Sequence, residues 1–352
     1  MTIIVKNIVP PSEATRNAIG NGPTELAAFH AAFSEMQCLD QIEQATPLAP
    51  DPPLLNSARI MFWNAERLKY LMPSIALLGA TKADAYLLCE LDLGMARSGN
   101  IHTTAGLAQG LSAGYIFAVE FVELGLGDAR ERHWHKGTTN IAGLHGAGLM
   151  SRHVLQHPRL LRLETSGRWF DGKFGERRVG GRIAIMAELE LGGKSVLLVS
   201  VHYESHTGPE DRLAQTRLLL DNIDRFNPGQ PVLIGGDFNT NTLDRANHER
   251  LERAQQVLRD DPHRFNYPMA YEPMFEELHR RGYDWKSCNV MGARTQRTRP
   301  DGTPQEPLGR IDWFFSRGLK CSDPAVIPAI DEADMAISDH EALAVTIQLT
   351  ET

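Results

Sequence analysis

Residues 231–242 read PVLIGGDFNTNT. An apolar run, Val232-Leu233-Ile234, passes through two glycines to Asp237, Asn239 and Asn241. Such a run predicts a buried strand. A strand that ends on a carboxylate and a carboxamide has two readings. One is a turn, in which Asp and Asn bond their own backbone. The other is an active site on the rim of a sheet. Further segments share the design, with apolar residues followed by groups suited to metal or phosphate chemistry. They are Asn64 and Glu66 in FWNAERL, Glu90 and Asp92 in LLCELDLG, His202 in VSVHYES, and Asp339 and His340 in ISDHEAL. Asp312, in RIDWFF, sits among apolar residues inside an expected strand. An unpaired carboxylate there would be costly, so it needs a partner, and a histidine is the natural one.

Each piece taken singly also has a plain structural reading. GDFN can be a turn, Asn64 a strand-end cap, His202 a satisfied core histidine, and Ser338-Asp339-His340 a helix N-cap or Asx turn. Asp312 could pair with an arginine. Glu90 is harder to dismiss, because a glutamate closing an apolar run needs a reason.

The elements that would carry these residues can be read from periodicity. Residues 23–42 predict a helix, with Pro23 in its first turn and Leu26, Phe29, Phe33 and Met36 at helical spacing. A proline-rich connector follows over 45–58. The stretches 58–68 and 84–94 begin as strands and end polar. Residues 181–206 predict a hairpin: Ile183, Ile185, Leu189 and Leu191 share one face, and Gly192-Gly193 make the turn. Residues 208–226 predict a helix with Leu213, Leu220, Ile223 and Phe226 on its apolar side. Residues 309–319 and 337–349 are again strand-like. Hairpins mixed with strand–helix–strand passages indicate a layered α/β architecture, not a purely parallel doubly wound sheet.

Composition narrows the function. The chain has 352 residues and a formal net charge of −8, which disfavours coating nucleic acid by bulk charge. Its four cysteines, Cys38, Cys89, Cys288 and Cys321, include no CxxC pair and read as reduced and buried. The first residues lack the pattern of an export signal, and no apolar stretch is long enough to span a membrane. A cytoplasmic location is expected.

In this order, the motifs resemble the endonuclease/exonuclease/phosphatase superfamily, whose fold is that of pancreatic deoxyribonuclease. The marks are an Asn near the end of the first strand, a Glu ending the second, a His ending a central strand, a G-D-x-N and a terminal S-D-H. They run from about Arg59 to Leu349. ELDLGMARSGN, GYDW and RIDWFFSRGL resemble uncharacterised bacterial members. One departure stands out: in HGAGLMSR, Ala147 occupies the place of an expected Asn, so a polar contact near the site is expected to be missing.

The resemblance implies a four-layer sandwich of two mixed β-sheets flanked by helices. The domain spans 58–352, with residues 1–57 as a helical arm and connector. It implies a metal-dependent phosphoesterase using Mg²⁺ or Mn²⁺. Glu90 would be the main ligand, helped by Asn64 and Asp339, with Glu66 holding an outer-shell water. Asp237 would take a proton from the attacking water, and Asn239, two residues on, would orient that water. His202 and His340 would bond phosphoryl oxygens, and Asp312 would fix the tautomer of His340. No G-x-S-x-G or similar nucleophile motif is present.

Arginines bear on substrate. Arg97 follows Glu90, and Arg294, Arg297 and Arg299 lie in a loop leading to Asp312. Solvated loop arginines are the plain reading; a phosphate-facing lip is the functional one. A small or soluble phosphoester is the expected substrate. The alternative is a nuclease with a local basic cleft of Arg97, Arg177, Arg178 and the loop arginines. A fold-retaining binding protein is the non-enzymatic alternative, which the complete polar set disfavours. His133 and His135, in HWHKG, are a loop pair that usually binds nothing.

Overall fold

The computed structural model describes residues 2–47, 56–240, 256–261, 263–297 and 309–350. In chain order, the strands are β1 Ile3–Val5, β2 Gln41–Ala45, β3 Ser57–Asn64, β4 Ala85–Leu93, β5 Gly114–Glu123, β6 Leu144–Ser151, β7 Gln156–Arg162, β8 Arg178–Gly180, β9 Ile183–Leu191, β10 Lys194–His202, β11 Val232–Asp237, β12 Asp312–Arg317, β13 Leu319–Ile327 and β14 Ala342–Leu349. The helices are α1 Glu13–Gly20, α2 Leu26–Glu35, α3 Leu71–Thr81, α4 Thr103–Leu111, α5 Ala129–Trp134, α6 Pro209–Phe226 and α7 Met274–Arg280.

The strands form two mixed sheets. The larger has nine strands in the order β1-β2-β5-β6-β4-β3-β14-β13, with β8 also on β5; the smaller has five, β12-β11-β10-β9-β7. Ile60, Phe62, Leu87 and Leu149 of the large sheet face Ile185, Leu198, Leu233 and Phe314 of the small one in an apolar interlayer. The outer face of the large sheet, with Met61, Trp63 and Leu88, is covered by Leu78 of α3 and Leu107 of α4. The outer face of the small sheet, with Val199, Ile234 and Phe315, is covered by Leu220 and Ile223 of α6 and Phe275 of α7. Four layers result, because each sheet presents two apolar faces and each face needs a cover.

The hairpin forms as expected in β9 and β10. Its turn has φ +57° at Gly192 and +76° at Gly193, which favours glycine at both places. The two glycines of Leu233-Ile234-Gly235-Gly236 have a packing reason. A Cβ on Gly235 would come within 2.7 Å of Phe314, and one on Gly236 would overlap Val201 of β10.

The N-terminal segment differs from the expectation. The helix over 23–42 stops at Glu35, and after a short turn the chain becomes β2. Ile42 is fully buried and pairs with Ala118 of β5, so β2 covers what would otherwise be an open strand edge. Pairing with that edge outweighs the helical spacing. β1 and β2 are therefore built into the large sheet instead of lying beside it as an arm. Arg16 of α1 fastens this segment further by donating to the carbonyls of Asn140 (2.6 Å) and Ala142 (2.9 Å). Part of the proline-rich connector, residues 48–55, lies outside the described residues. Phe226, expected on the apolar side of α6, is 47% exposed at the end of that helix.

Candidate active site

The polar residues gather because they continue the interlayer faces of their strands. In β3 the inward residues Ala58, Ile60 and Phe62 are followed at the same two-residue period by Asn64. In β10, Val196 and Leu198 are followed by Ser200 and His202; in β11, Leu233 is followed by Gly235 and Asp237. Asp312 shares a face with Phe314, and Glu120 shares one with Ile116 and Ala118. Where the apolar interlayer ends, the same faces become polar and line a cleft of about 240 Å³.

Glu90 arrives differently. Its strand mates Ala85, Leu87 and Cys89 face inward, so a regular strand would send Glu90 outward. Instead the pairing of β4 with β6 shifts register between Leu88 and Leu91, and Glu90 takes φ +53°. This bulge turns the carboxylate into the cleft.

Pairing across the small sheet sets a row of three polar residues. His202 lies opposite Asp237 in the parallel β10–β11 pair, and Asp237 lies opposite Asp312 in the antiparallel β11–β12 pair. Asp312 is the first residue of its strand and fully buried. It has the expected histidine partner: His340 Nδ1 is 3.0 Å from Asp312 Oδ2, and Nε2 lies 3.9 Å from Asp237 Oδ2. Burial disfavours the imidazolium, but the Asp312 carboxylate outweighs it and holds His340 well above the usual histidine range. Burial, with Asp237 adjacent, pushes Asp312 up to about 6 against the pull of His340. At neutral pH the pair is an imidazolium beside a carboxylate.

His202 lies between Asp237, 3.7 Å away, and Glu120, 3.3 Å from its Nδ1. Glu120 is buried, yet His202 and Arg182 pull it down to about 2. Asn239 does not continue the strand. Its φ is +48°, its backbone N–H donates to Asp237 Oδ1 (2.9 Å), and its Nδ2 donates to the Tyr203 carbonyl (2.9 Å). GDFN is thus both an Asx turn and a wall of the cleft, and it is the turn, not strand alternation, that places Asn239.

Asn64 joins the two sheets: its Nδ2 donates to Glu90 Oε1 and to Asp237 Oδ2, both at 3.1 Å. Arg67 donates to the other Glu90 oxygen at 3.0 Å. Burial would raise Glu90, but Arg67 and the nearby His202, His145 and His340 hold it well below the usual carboxylate range. Glu66 and Asp339 complete the acidic side. Burial and the Asp339 charge push Glu66 up to about 7, and its Oε2 is buried without a hydrogen-bond partner among the described residues. A cation bound at this end would satisfy that free oxygen. Oxygens and nitrogens of Asp237, Asp312 and His340 also lie within 4.8 Å of one another, but Nδ1 of His340 is engaged by Asp312 there.

Of the arginines expected at the cleft, the structure brings Arg178 there but not Arg97, Arg177, Arg294 or Arg297. Arg97 is buried beneath it, bonded to Asp92 twice at 2.9 Å and ion-paired with Glu123 (3.3 Å) and Glu131 (3.2 Å). A guanidinium so enclosed is structural. Arg294 is exposed, Arg297 pairs with Glu341 at 3.3 Å, and Arg177 donates to the carbonyls of Gly20, Gly22 and Pro23. Arg299 lies outside the described residues. Beside Arg178 the cleft holds Arg67, Arg130 and Arg182, which were not expected there. Sequence reasoning missed Arg182, Glu120 and His145. The available signal was a charged or imidazole side chain continuing the inner face of an apolar strand, as Glu120 does in FAVEFVE. Ala147 is fully buried in the interlayer on an intact β6, deeper than His145, which lines the cleft.

The Endonuclease/Exonuclease/phosphatase family matches residues 61–340. The chain belongs to this family. Members are metal-dependent phosphoesterases and nucleases. YbhP, an uncharacterized protein of Escherichia coli, is 24% identical over 210 residues, 59% of this chain and 64% of that protein. The match thus spans under two thirds of that relative's length. An endonuclease/exonuclease/phosphatase structure from Beutenbergia cavernae is similar in fold, with TM-score 0.55 and 19% identity over 83% of this chain and 72% of that one. The human Nocturnin catalytic domain with bound sulfate is also similar in fold, with TM-score 0.53 and 16% identity over 88% of this chain and 96% of that one. Among the described residues, no helix is long and apolar enough to cross a membrane.

Proposed function

We propose that the protein is a divalent-metal-dependent phosphoesterase that hydrolyses a small or soluble phosphomonoester or phosphodiester by attack of water. The observation that carries this reading is the Asn64 bridge, which ties Glu90 of one sheet to Asp237 of the other with 3.1 Å bonds. It sets Glu90 and Asp237 on either side of one carboxamide, which supports reading the first as the cation-binding carboxylate and the second as the proton acceptor.

Glu90, Asn64, Asp339 and Glu66 are the groups that would hold Mg²⁺ or Mn²⁺. Such an ion would supply Lewis acidity for phosphoester hydrolysis. Asp237 accepts a proton from the attacking water, and Asn239 orients that water. His340, kept charged by Asp312, donates to a phosphoryl oxygen, as does His202, which Glu120 orients.

The cleft's about 240 Å³ is smaller than roughly 300–1,000 Å³ for common ligand pockets, which supports a compact substrate. The four cleft arginines also support it, because each is compensated: Arg67 by Glu90, Arg130 by Asp128, Arg178 by Glu176 and Arg182 by Glu120. That leaves little free positive charge for a polynucleotide backbone. A panel of phosphomonoesters, phosphodiesters and nucleic acids, with Mg²⁺ or Mn²⁺ and EDTA controls, tests the reading. Metal-dependent turnover of small esters is expected. Cleavage of DNA or RNA alone, with binding that weakens steeply as salt rises, would replace it with a nuclease.

A further inference from the structure

The cleft is lined by two imidazoles that the proposed reaction does not use, His145 and His206, and the second stacks on Phe174. His145 is 2% exposed, lines the cleft, and has both of its polar contacts at Nδ1. Asp92 Oδ1 lies 2.8 Å from that nitrogen, and Arg97 Nη2 lies 3.1 Å from it. The shorter contact is to Asp92, which only accepts, and the two Arg97 Nη2 hydrogens are taken by Asp92 Oδ1 (2.9 Å) and Glu123 Oε1 (3.3 Å), so the proton is assigned to Nδ1 and Nε2 is left with a lone pair for the cleft. Burial pushes the imidazole below its usual range, outweighing Asp92, so the ring is neutral near pH 7. Elsewhere on the cleft wall, Arg178 and Arg182 are donors, while Ser205 and Glu176 can accept.

Strand order fixes where this acceptor stands. In the large sheet, β4 separates β6, which carries His145, from β3, which carries Asn64. Two inter-strand spacings amount to about 10 Å. Asp237 bonds Asn64, so His145 lies beyond Glu90 on the side away from the water-activating carboxylate. In an in-line displacement, the leaving group departs opposite the attacking water.

Resting on the phosphoesterase reading, we infer that His145, oriented by Asp92, accepts a hydrogen bond from a hydroxyl on the alcohol portion of the substrate, and so selects hydroxylated leaving groups such as polyols or sugars over plain alkyl ones. A net hydrogen bond of this kind is worth about 1 kcal/mol, or several-fold to about tenfold in specificity.

The test compares glycerol phosphate with propyl phosphate, and their methyl diesters, under Mg²⁺ or Mn²⁺. The wild type should prefer the glycerol ester by about tenfold in kcat/KM. His145→Phe, which keeps a ring without an acceptor, should bring that ratio near unity, and His145→Gln should recover part of it. Nitrogen NMR supplies a readout that does not need turnover: Nε2 should resonate as an unprotonated nitrogen and move upfield on addition of glycerol phosphate but not propyl phosphate. A wild-type ratio near unity, a ratio unchanged in His145→Phe, or a protonated Nε2 at neutral pH overturns the inference while small-ester turnover still stands. Absence of turnover for every small ester removes the phosphoesterase reading itself.

Discussion

Asp237 and Asp312 face each other directly across adjacent antiparallel strands, and both are buried. Two carboxylates in register repel each other. The arrangement holds because His340 reaches both, 3.0 Å from Asp312 and 3.9 Å from Asp237. One imidazolium thus serves as counter-ion to two acids that belong to the same sheet edge.

Replacing Asp237 should separate chemistry from folding. Asp237→Asn keeps acceptors for Asn239 and removes the like-charge contact, but it cannot take a proton from water. Turnover should fall by about 10³-fold. Stability in urea should shift by no more than about 2 kcal/mol. Unfolding of the variant would make Asp237 structural.

His340 and Asp312 should behave as one unit. His340→Ala and Asp312→Ala should each reduce kcat strongly, and the double variant should be little worse than the weaker single one. Rates that multiply would break the pairing.

Arg97 should be a folding residue. Its guanidinium neutralises Asp92, Glu123 and Glu131 below the cleft. Arg97→Met should cost about 3–5 kcal/mol in urea unfolding, because it strands buried carboxylates. A large rise in KM with unchanged stability would return Arg97 to the substrate.

Acid should destabilise the protein through Glu120. Its folded value lies at about 2, below that of an unfolded glutamate near about 4.3. A depressed acid contributes stability that is complete above the unfolded value and is lost as pH falls through the folded one. The urea midpoint should therefore drop between about pH 5 and pH 2, and Glu120→Gln should flatten that drop. An unchanged slope would mean that other carboxylates set the acid limb.

Divalent ions should stabilise the chain by binding the folded state alone. Mn²⁺ should raise the melting temperature, EDTA should reverse it, and Glu66→Gln should weaken the effect by relieving the same crowding that a cation relieves. A Glu66→Gln response equal to wild type would move the ion away from Glu66.

Several features were legible in the residues. The turn at Gly192-Gly193, the helix beginning at Pro209, and the need of Asp312 for a histidine partner all follow from local chemistry. So does the interlayer face of β3, whose two-residue period leads from Ile60 and Phe62 to Asn64. The strand at Gln41–Ala45 was not legible, because only the open edge of β5 makes it a strand. The bulge at Glu90 was not legible either, since alternation alone sends that side chain outward. Arg97 and Arg182 exchanged places for a related reason: sequence neighbourhood put Arg97 near Glu90, whereas sheet register buried it under the site and brought Arg182 beside His202.

The sequence by itself determined which groups are present and the strand faces that most of them occupy, because side-chain alternation is a local property of an extended chain. Only the tertiary structure decided which strands lie side by side, and hence which carboxylate meets which histidine. That choice depends on burying both faces of two sheets at once, a condition no single segment can meet alone.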